Sequence, residues 1–202
     1  STAVVYGNYG KNKITEDFKP NPISIYGTTK LMTEELIKGY AKTFDINAVI
    51  LRLNCIVGDG HTHGVTYDLY KKLLNNDNEL EILGDGEQQK TFLHVCDVKQ
   101  IIDIFLNKFN DMTGCEIYNV GGNNPLKISN LAGIVMSEMK NIGAISKNPI
   151  MKYTGGKVGW KHDVPVTILD TKKLKKENFK QTYNAEESIR KTVRWLHGNT
   201  IS

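Results

Sequence analysis

Tyr26 and Lys30 stand four residues apart in the segment Tyr26-Gly27-Thr28-Thr29-Lys30. That spacing sets a phenol and an ammonium on one face of a helix. A phenol in water titrates near about 10, and an adjacent cation favours its ionised form, which makes such a pair a usable acid/base near neutral pH. The spacing also occurs at Tyr9/Lys13, Tyr67/Lys71 and Tyr153/Lys157, so context must choose. The Tyr9 copy encloses Gly10 and the Tyr153 copy encloses Gly155-Gly156, which reads as loop, where i and i+4 need not face together. The Tyr67 copy reads as a solvated face of a helix over residues 67–75.

Only the Tyr26 copy has the surroundings a redox site needs. Pro20 and Pro22 impose an extended approach, and Ser24 or Thr28 is placed to cap a helix beginning near Tyr26. Met32, Leu36, Ile37, Tyr40, Ala41 and Phe44 recur at helical spacing to about residue 44. Residues 47–54, NAVILRLN, are nearly continuous in apolar character, as in a strand covered on both faces of a parallel sheet. Strand end, helix and buried strand in that order bring the Thr2 hydroxyl, the Tyr26 phenol and the Lys30 ammonium near the carboxyl ends of parallel strands. Open α/β sheets put their ligands there.

With these motifs the chain resembles the extended short-chain dehydrogenase/reductase family, and within it the sugar-nucleotide epimerases. The resemblance runs along essentially the whole chain. It rests on Ser1-Thr2 through Gly7, Tyr26/Lys30 with Thr29, LRLNCIVG at 51–58, GDGEQQKTFLHVCDV at 84–98, YNVGG at 118–122 and GWKHDVPVTILDTKKLK at 159–175. It implies an α/β fold, the C-terminal part of a Rossmann-like parallel sheet plus a smaller α/β substrate-binding domain. Residues 1–56 would belong to the NAD-binding part and 57–202 to the substrate domain, with about 90–110 crossing back. The implied activity is an NAD-dependent nucleotide-sugar 4-epimerase of the UDP-glucose/UDP-galactose type. Thr2 would hold the reacting sugar oxygen, Tyr26 would be the acid/base, and Lys30 would grip the nicotinamide ribose and tune Tyr26. Leu53 falls at a cofactor-contact position, and Cys55, Ile82, Leu83, Lys90 and Asp163 at substrate-contact positions. The resemblance also implies a homodimer through the helix that carries Tyr26 and Lys30, with Leu36 and Tyr40 outward.

The departures from that pattern matter as much as the matches. Cys55 stands where the family usually has an Asn, Lys90 where an Arg pairs with the diphosphate, Thr91 where an Asp is usual, Val158 where another Arg is frequent, and His162 where a Gly is usual before Asp163. Lysine supplies charge without a bidentate fork, so affinity rather than reaction type is expected to change. Related 4,6-dehydratases carry an Asp and a Glu directly after the catalytic Thr, and related decarboxylases keep a Glu at the second position. Ala3 and Val4 occupy these places, and neither ionises, which leaves reversible redox chemistry at one carbon. Neither G-x-G-x-x-G nor G-x-x-G-x-x-G occurs in the sequence, although the family's pyrophosphate turn has one of these forms. The expectation is therefore a C-terminal portion of a longer protein with roughly 100 or more residues upstream, inactive alone and weak toward NAD. Two other readings stay open: a net NAD(P)-dependent reductase or dehydrogenase of the same superfamily, and a non-catalytic substrate-binding fragment.

Composition agrees with a globular domain, at 40% hydrophobic and 24% charged residues, proportions that exclude disorder. Cys55, Cys96 and Cys115 are odd in number and form no CxxC, so neither a disulfide framework nor a zinc site is expected. A formal charge of +4 without a basic face and interleaved aromatics argues against nucleic acid. No apolar run reaches the ~20 residues of a membrane span, and a cytoplasmic setting follows. His61 and His63 in GDGHTHG read as a surface loop near the site, since no carboxylate or Cys accompanies them at ligand spacing. Further along, strands are expected over 80–83, 91–95 and 116–120. Helices are expected over 97–109 and 129–139, at the Lys172–Lys180 basic run, and over 184–195, where Asn184 and Glu187 have capping-box spacing.

Overall fold

The computed structural model describes residues 1–159 and 164–200. Among these residues four small sheets and six α-helices make an α/β fold in which the strand pairs are mostly parallel. The elements are β1 (Lys13–Ile14), α1 (Ile25–Phe44), β2 (Ala48–Leu53), β3 (Cys55–Val57), α2 (Val65–Asn75), β4 (Glu79–Ile82), β5 (Gln89–His94) and α3 (Val95–Lys108). They continue with β6 (Cys115–Val120), β7 (Pro125–Lys127), α4 (Ile128–Asn141), β8 (Ile150–Tyr153), β9 (Ile168–Leu169), α5 (Lys172–Lys175) and α6 (Ala185–Thr200). The apolar run at 47–54 does form a buried parallel strand, with β2 paired to β6 in the register Ala48↔Cys115 through Leu53↔Val120. It is interrupted at Asn54, and the chain re-enters as β3 in a different sheet beside β5, which in turn pairs antiparallel with β7. At the break the Asn54 backbone N–H still donates to the Val120 carbonyl at 2.8 Å, while its side chain reaches the neighbouring segments. Asn54 Nδ2 donates to Thr91 Oγ1 at 2.8 Å and to the Thr167 carbonyl at 3.1 Å.

Local chemistry accounts for the ends of α1. Ser24 is its N-cap, its hydroxyl accepting from the Gly27 amide at 3.1 Å, the cap type that satisfies an orphan first-turn N–H. Asp45, at φ 51° and ψ 45°, closes it in the left-handed conformation. Its periodic apolar residues do not make the core. Met32, Leu36, Tyr40 and Phe44 are exposed, whereas Gly27, Glu34 and Ala41 are the buried positions. Gly27 explains how closely α1 can sit: a Cβ there would lie 3.0 Å from the Val4 carbonyl oxygen and 2.9 Å from Pro22 Cβ. Tyr26 is thereby brought up against the turn that follows Thr2.

Three apolar clusters hold the elements. The largest joins α2, α4 and α6 to β3, β4 and β5 through Leu69, Leu73, Leu80, Phe92, Leu131 and Val193. A second packs Ile101 and Phe105 of α3 on Tyr118 and Val120 of β6. The third surrounds Val5 and Tyr6 with Ile14 and Leu169. The capping box of α6 is present in both directions, Asn184 N–H to Glu187 Oε2 at 2.8 Å and Glu187 N–H to Asn184 Oδ1 at 2.9 Å. Several boundaries are corrected. Helix α2 starts two residues earlier than its periodicity predicts, α5 spans only four of the lysine-rich residues, and Tyr153 ends a strand, β8, before the positive-φ Gly155 and Gly156.

Helix α3 starts at Val95, ahead of Asp97, because His94 is its N-cap: Nδ1 accepts from the Cys96 amide at 3.3 Å. His94 is 6% exposed, and its Nε2 is buried without a partner among the described residues. Burial pushes its pKa below the usual imidazole value, against the pull of Asp59 and Asp97, with Lys191 acting in the same direction as burial. The folded chain therefore resists a proton that the unfolded chain takes up near about 6.5. Stability is full above that pH and declines below it until the folded pKa is reached, with a slope of at most about 1.4 kcal/mol per pH unit for this group. His94→Asn keeps a cap acceptor and cannot titrate. Urea midpoints measured from pH 7 to 5 are expected to fall less steeply in the variant; identical slopes in both proteins would rule this out.

Candidate functional site

Thr2 ends an extended segment that bridges in parallel to Leu53 of β2, and it caps a 3-10 turn over Ala3–Tyr6 by accepting from the Val4 amide at 3.3 Å. Gly7, at φ 78°, ends that turn, and a Cβ on it would fall 2.0 Å from the Asn21 carbonyl oxygen. Only glycine permits this closure, which folds the segment before α1 back over the turn. Beneath the turn lies a buried ionic cluster. Arg52 of β2 donates from Nε and Nη2 to Glu34 of α1 at 2.9 and 2.6 Å, Ser1 Oγ donates to the same carboxylate at 2.5 Å, and the guanidinium carbon sits 4.6 Å from the Tyr6 ring centroid. Tyr6 Oη in turn donates to Asn119 Oδ1 at 2.7 Å. Thr2, α1 and β2 are thus tied together at one point.

A cavity of about 560 Å³ opens above them. Thr2, Tyr26, Leu53, Cys55, Ile82, Leu83 and Lys90 line it, so residues far apart in sequence converge on one space. Lys30 is not in the lining; its Nζ lies 5.8 Å from the Tyr26 ring centroid, on the same side of α1. Asp163 lies outside the described residues. Tyr26 is 55% exposed and Thr2 only 8%, an arrangement that offers the phenol to a ligand while the hydroxyl stays fixed by its turn. Ala3 and Val4 also face the cavity. Asp68 is the one carboxylate residue lining it among the described residues, and it is paired with Lys72 at 3.2 Å. Lys90 Nζ donates to the Val164 carbonyl, which holds the ammonium at the cavity wall.

A second cavity of about 330 Å³ adjoins the first and is lined by Ser1, Thr2, Tyr26, Leu53 and Cys55, and also by His61, His63 and Thr66. His63 also lines the larger cavity, so the GDGHTHG loop, exposed over most of its length, is a surface loop at the site as its sequence suggests. Its spacing from the strand end before it was the available signal. Among the described residues no group of three or more His, Cys, Asp or Glu could hold a metal ion. Among the described residues no helix is long and apolar enough to cross a membrane. Asn54, one position before Cys55, is not free to replace the missing amide, because both its donor bonds go to the scaffold.

Residues 1–121 match the family model described as the NAD dependent epimerase/dehydratase family. A putative UDP-glucose 4-epimerase of Methanocaldococcus jannaschii is 29% identical over 98% of this chain and 62% of its own length. A UDP-glucuronate 4-epimerase of Thermodesulfobacterium geofontis is 27% identical over 98% of the chain and 58% of its own length. A dTDP-D-glucose 4,6-dehydratase of Mus musculus is 25% identical over 98% and 55%. A crystal structure of UDP-galactose 4-epimerase superposes with a TM-score of 0.83 at 28% identity, covering 98% of this chain and 62% of that one. A UDP-glucuronic acid 4-epimerase from Bacillus cereus, solved with UDP-glucuronic acid and NAD, superposes with a TM-score of 0.83 at 26% identity, covering 98% and 60%. The chain thus spans between 55 and 62% of the length of these relatives.

Proposed function

Because the chain belongs to the NAD dependent epimerase/dehydratase family, we propose that it carries the reacting groups and sugar-binding wall of a nucleotide-sugar 4-epimerase of the UDP-glucose/UDP-galactose type. NAD is the cofactor of this family. The residues present suit one end of it: the smaller cavity, with Thr2, Tyr26 and Leu53 in its wall, can take a nicotinamide ring and its ribose. The glycine-rich pyrophosphate turn is not among the 202 residues. On this reading residues 1–56 serve the cofactor side and 57–202 the substrate side, with about 90–110 crossing back.

The observation that carries the proposal is the chemistry of the wall beside Thr2. Tyr26 and Thr2 face one cavity together with Ala3 and Val4, so the place where elimination would need a second acid/base is apolar. Bound NAD supplies reversible hydride exchange, the chemistry no side chain can perform. The chain's own groups do the rest. Tyr26 Oη removes the proton from the sugar 4-hydroxyl and later returns one to the same oxygen, Lys30 supports the ionised phenol from the next turn of α1, and Thr2 Oγ1 fixes the oxygen's position. Ile82, Leu83 and Cys55 give the sugar and nucleotide an apolar wall, while Lys90 stands at the edge for a diphosphate. The test is to incubate the protein, in a form that includes the glycine-rich pyrophosphate turn, with catalytic NAD and UDP-glucose and follow UDP-galactose by chromatography. Redox-neutral interconversion is expected; stoichiometric consumption of added NAD, or loss of water from the sugar, would refute the epimerase assignment.

A further inference from the structure

We propose that His63 is the residue that reads the hexosyl group, hydrogen-bonding a sugar hydroxyl beside the reacting carbon. The inference rests on the nucleotide-sugar reading above and adds a specificity contact to it. The two cavities share a wall whose polar side chains are Thr2, Tyr26, Asn54, Cys55 and His63. Thr2 and Tyr26 meet the reacting oxygen. Asn54 spends its amide on Thr91 and Thr167 and accepts from the Cys55 thiol at 3.7 Å, and a thiol is a weak donor in any case. Of the polar side chains common to both cavities, His63 remains to meet the neighbouring hydroxyls.

Its surroundings orient the ring for that work. His63 Nδ1 is 3.3 Å from Thr62 Oγ1, so one ring nitrogen is engaged within the loop and Nε2 is left for a ligand. The His61 ring lies nearly parallel, at 15° with centroids 6.3 Å apart, and backs the imidazole. A hydroxyl both donates and accepts, so it pairs with Nε2 in either tautomer, which a fully ionised diphosphate does not. The loop then supplies, from the same wall, a polar contact that the thiol at position 55 does not.

Calorimetric titration of the NAD-supplied protein with UDP and, separately, with UDP-glucose separates the contact from its alternatives. His63→Ala is expected to weaken UDP-glucose binding about tenfold, the equivalent of one hydrogen bond, and to leave UDP binding unchanged. His63→Gln, which restores a donor and an acceptor, is expected to recover most of the loss. Equal weakening toward both titrants would place the contact on the nucleotide or reflect a general loss of structure, and either result overturns the proposal. So would unchanged binding of both. Failure of the unaltered protein to bind UDP at all would instead overturn the nucleotide-sugar reading itself, a different and recognisable outcome.

Discussion

In a form of the protein that includes the pyrophosphate turn, Tyr26→Phe is expected to lower the rate of UDP-glucose and UDP-galactose interconversion by ~10²–10⁴-fold, the usual contribution of a positioned general acid/base. The substitution removes one oxygen and nothing else. The ring keeps its place in the first turn of α1, capped by Ser24, and a side chain already 55% exposed contributes little packing, so thermal stability should stay within about 0.5 kcal/mol. UDP affinity should also hold, because the nucleotide is expected to meet Ile82, Leu83 and Lys90 rather than the phenol. A fall in kcat without a rise in the UDP dissociation constant is therefore the signature. Steady-state assays and UDP titrations of the two proteins check it, and a variant retaining more than about a tenth of the activity would sink the acid/base role, since that loss is less than one hydrogen bond commonly confers.

The features legible in sequence were those governed by short-range chemistry. The Ser24 cap, the Asn184/Glu187 box and the apolar run of β2 each follow from a few adjacent residues, and each is found in the fold. What escaped depended on contacts between distant segments. Leu36 and Tyr40 of α1 point outward as expected, but the sequence did not show that the buried side of that helix carries Glu34, whose partner Arg52 lies in the strand. A lone arginine inside the run Val49 to Leu53 was the visible sign of such a pair. The split at Asn54 was hidden because its cause is a bond to Thr91, 37 residues on. His63 reads as surface and is exposed, and what the sequence did not show is that it borders both cavities.

Glu34→Gln is expected to destabilise the fold by about 3–5 kcal/mol, the cost of leaving one member of a buried ion pair uncompensated. For a chain of this size that is on the order of 10 °C in melting temperature. Glu34 and Arg52 are each 1% exposed, so water cannot take over the guanidinium when the carboxylate is gone. Burial alone would raise the Glu34 pKa, but the bonds from Arg52 and Ser1 outweigh it and hold the carboxyl below the ordinary range. The sign follows from that direction: the pair's contribution is complete above the unfolded carboxylate pKa of about 4.3 and is lost as pH falls through the lower folded value. Glu34→Gln should therefore remove part of the acid sensitivity along with the stability. Because the same carboxylate holds Ser1, one residue before Thr2, activity should fall as well, through the position of the hydroxyl rather than its chemistry. The double variant Glu34→Leu with Arg52→Met separates charge from packing. Buried ion pairs exchanged for apolar residues of similar volume are often neutral in stability, so much of the lost melting temperature should return. If instead Glu34→Gln alone melts within about 1 °C of the parent, the cluster contributes no net stability and Thr2 must be positioned by its turn and its bridge to Leu53 alone.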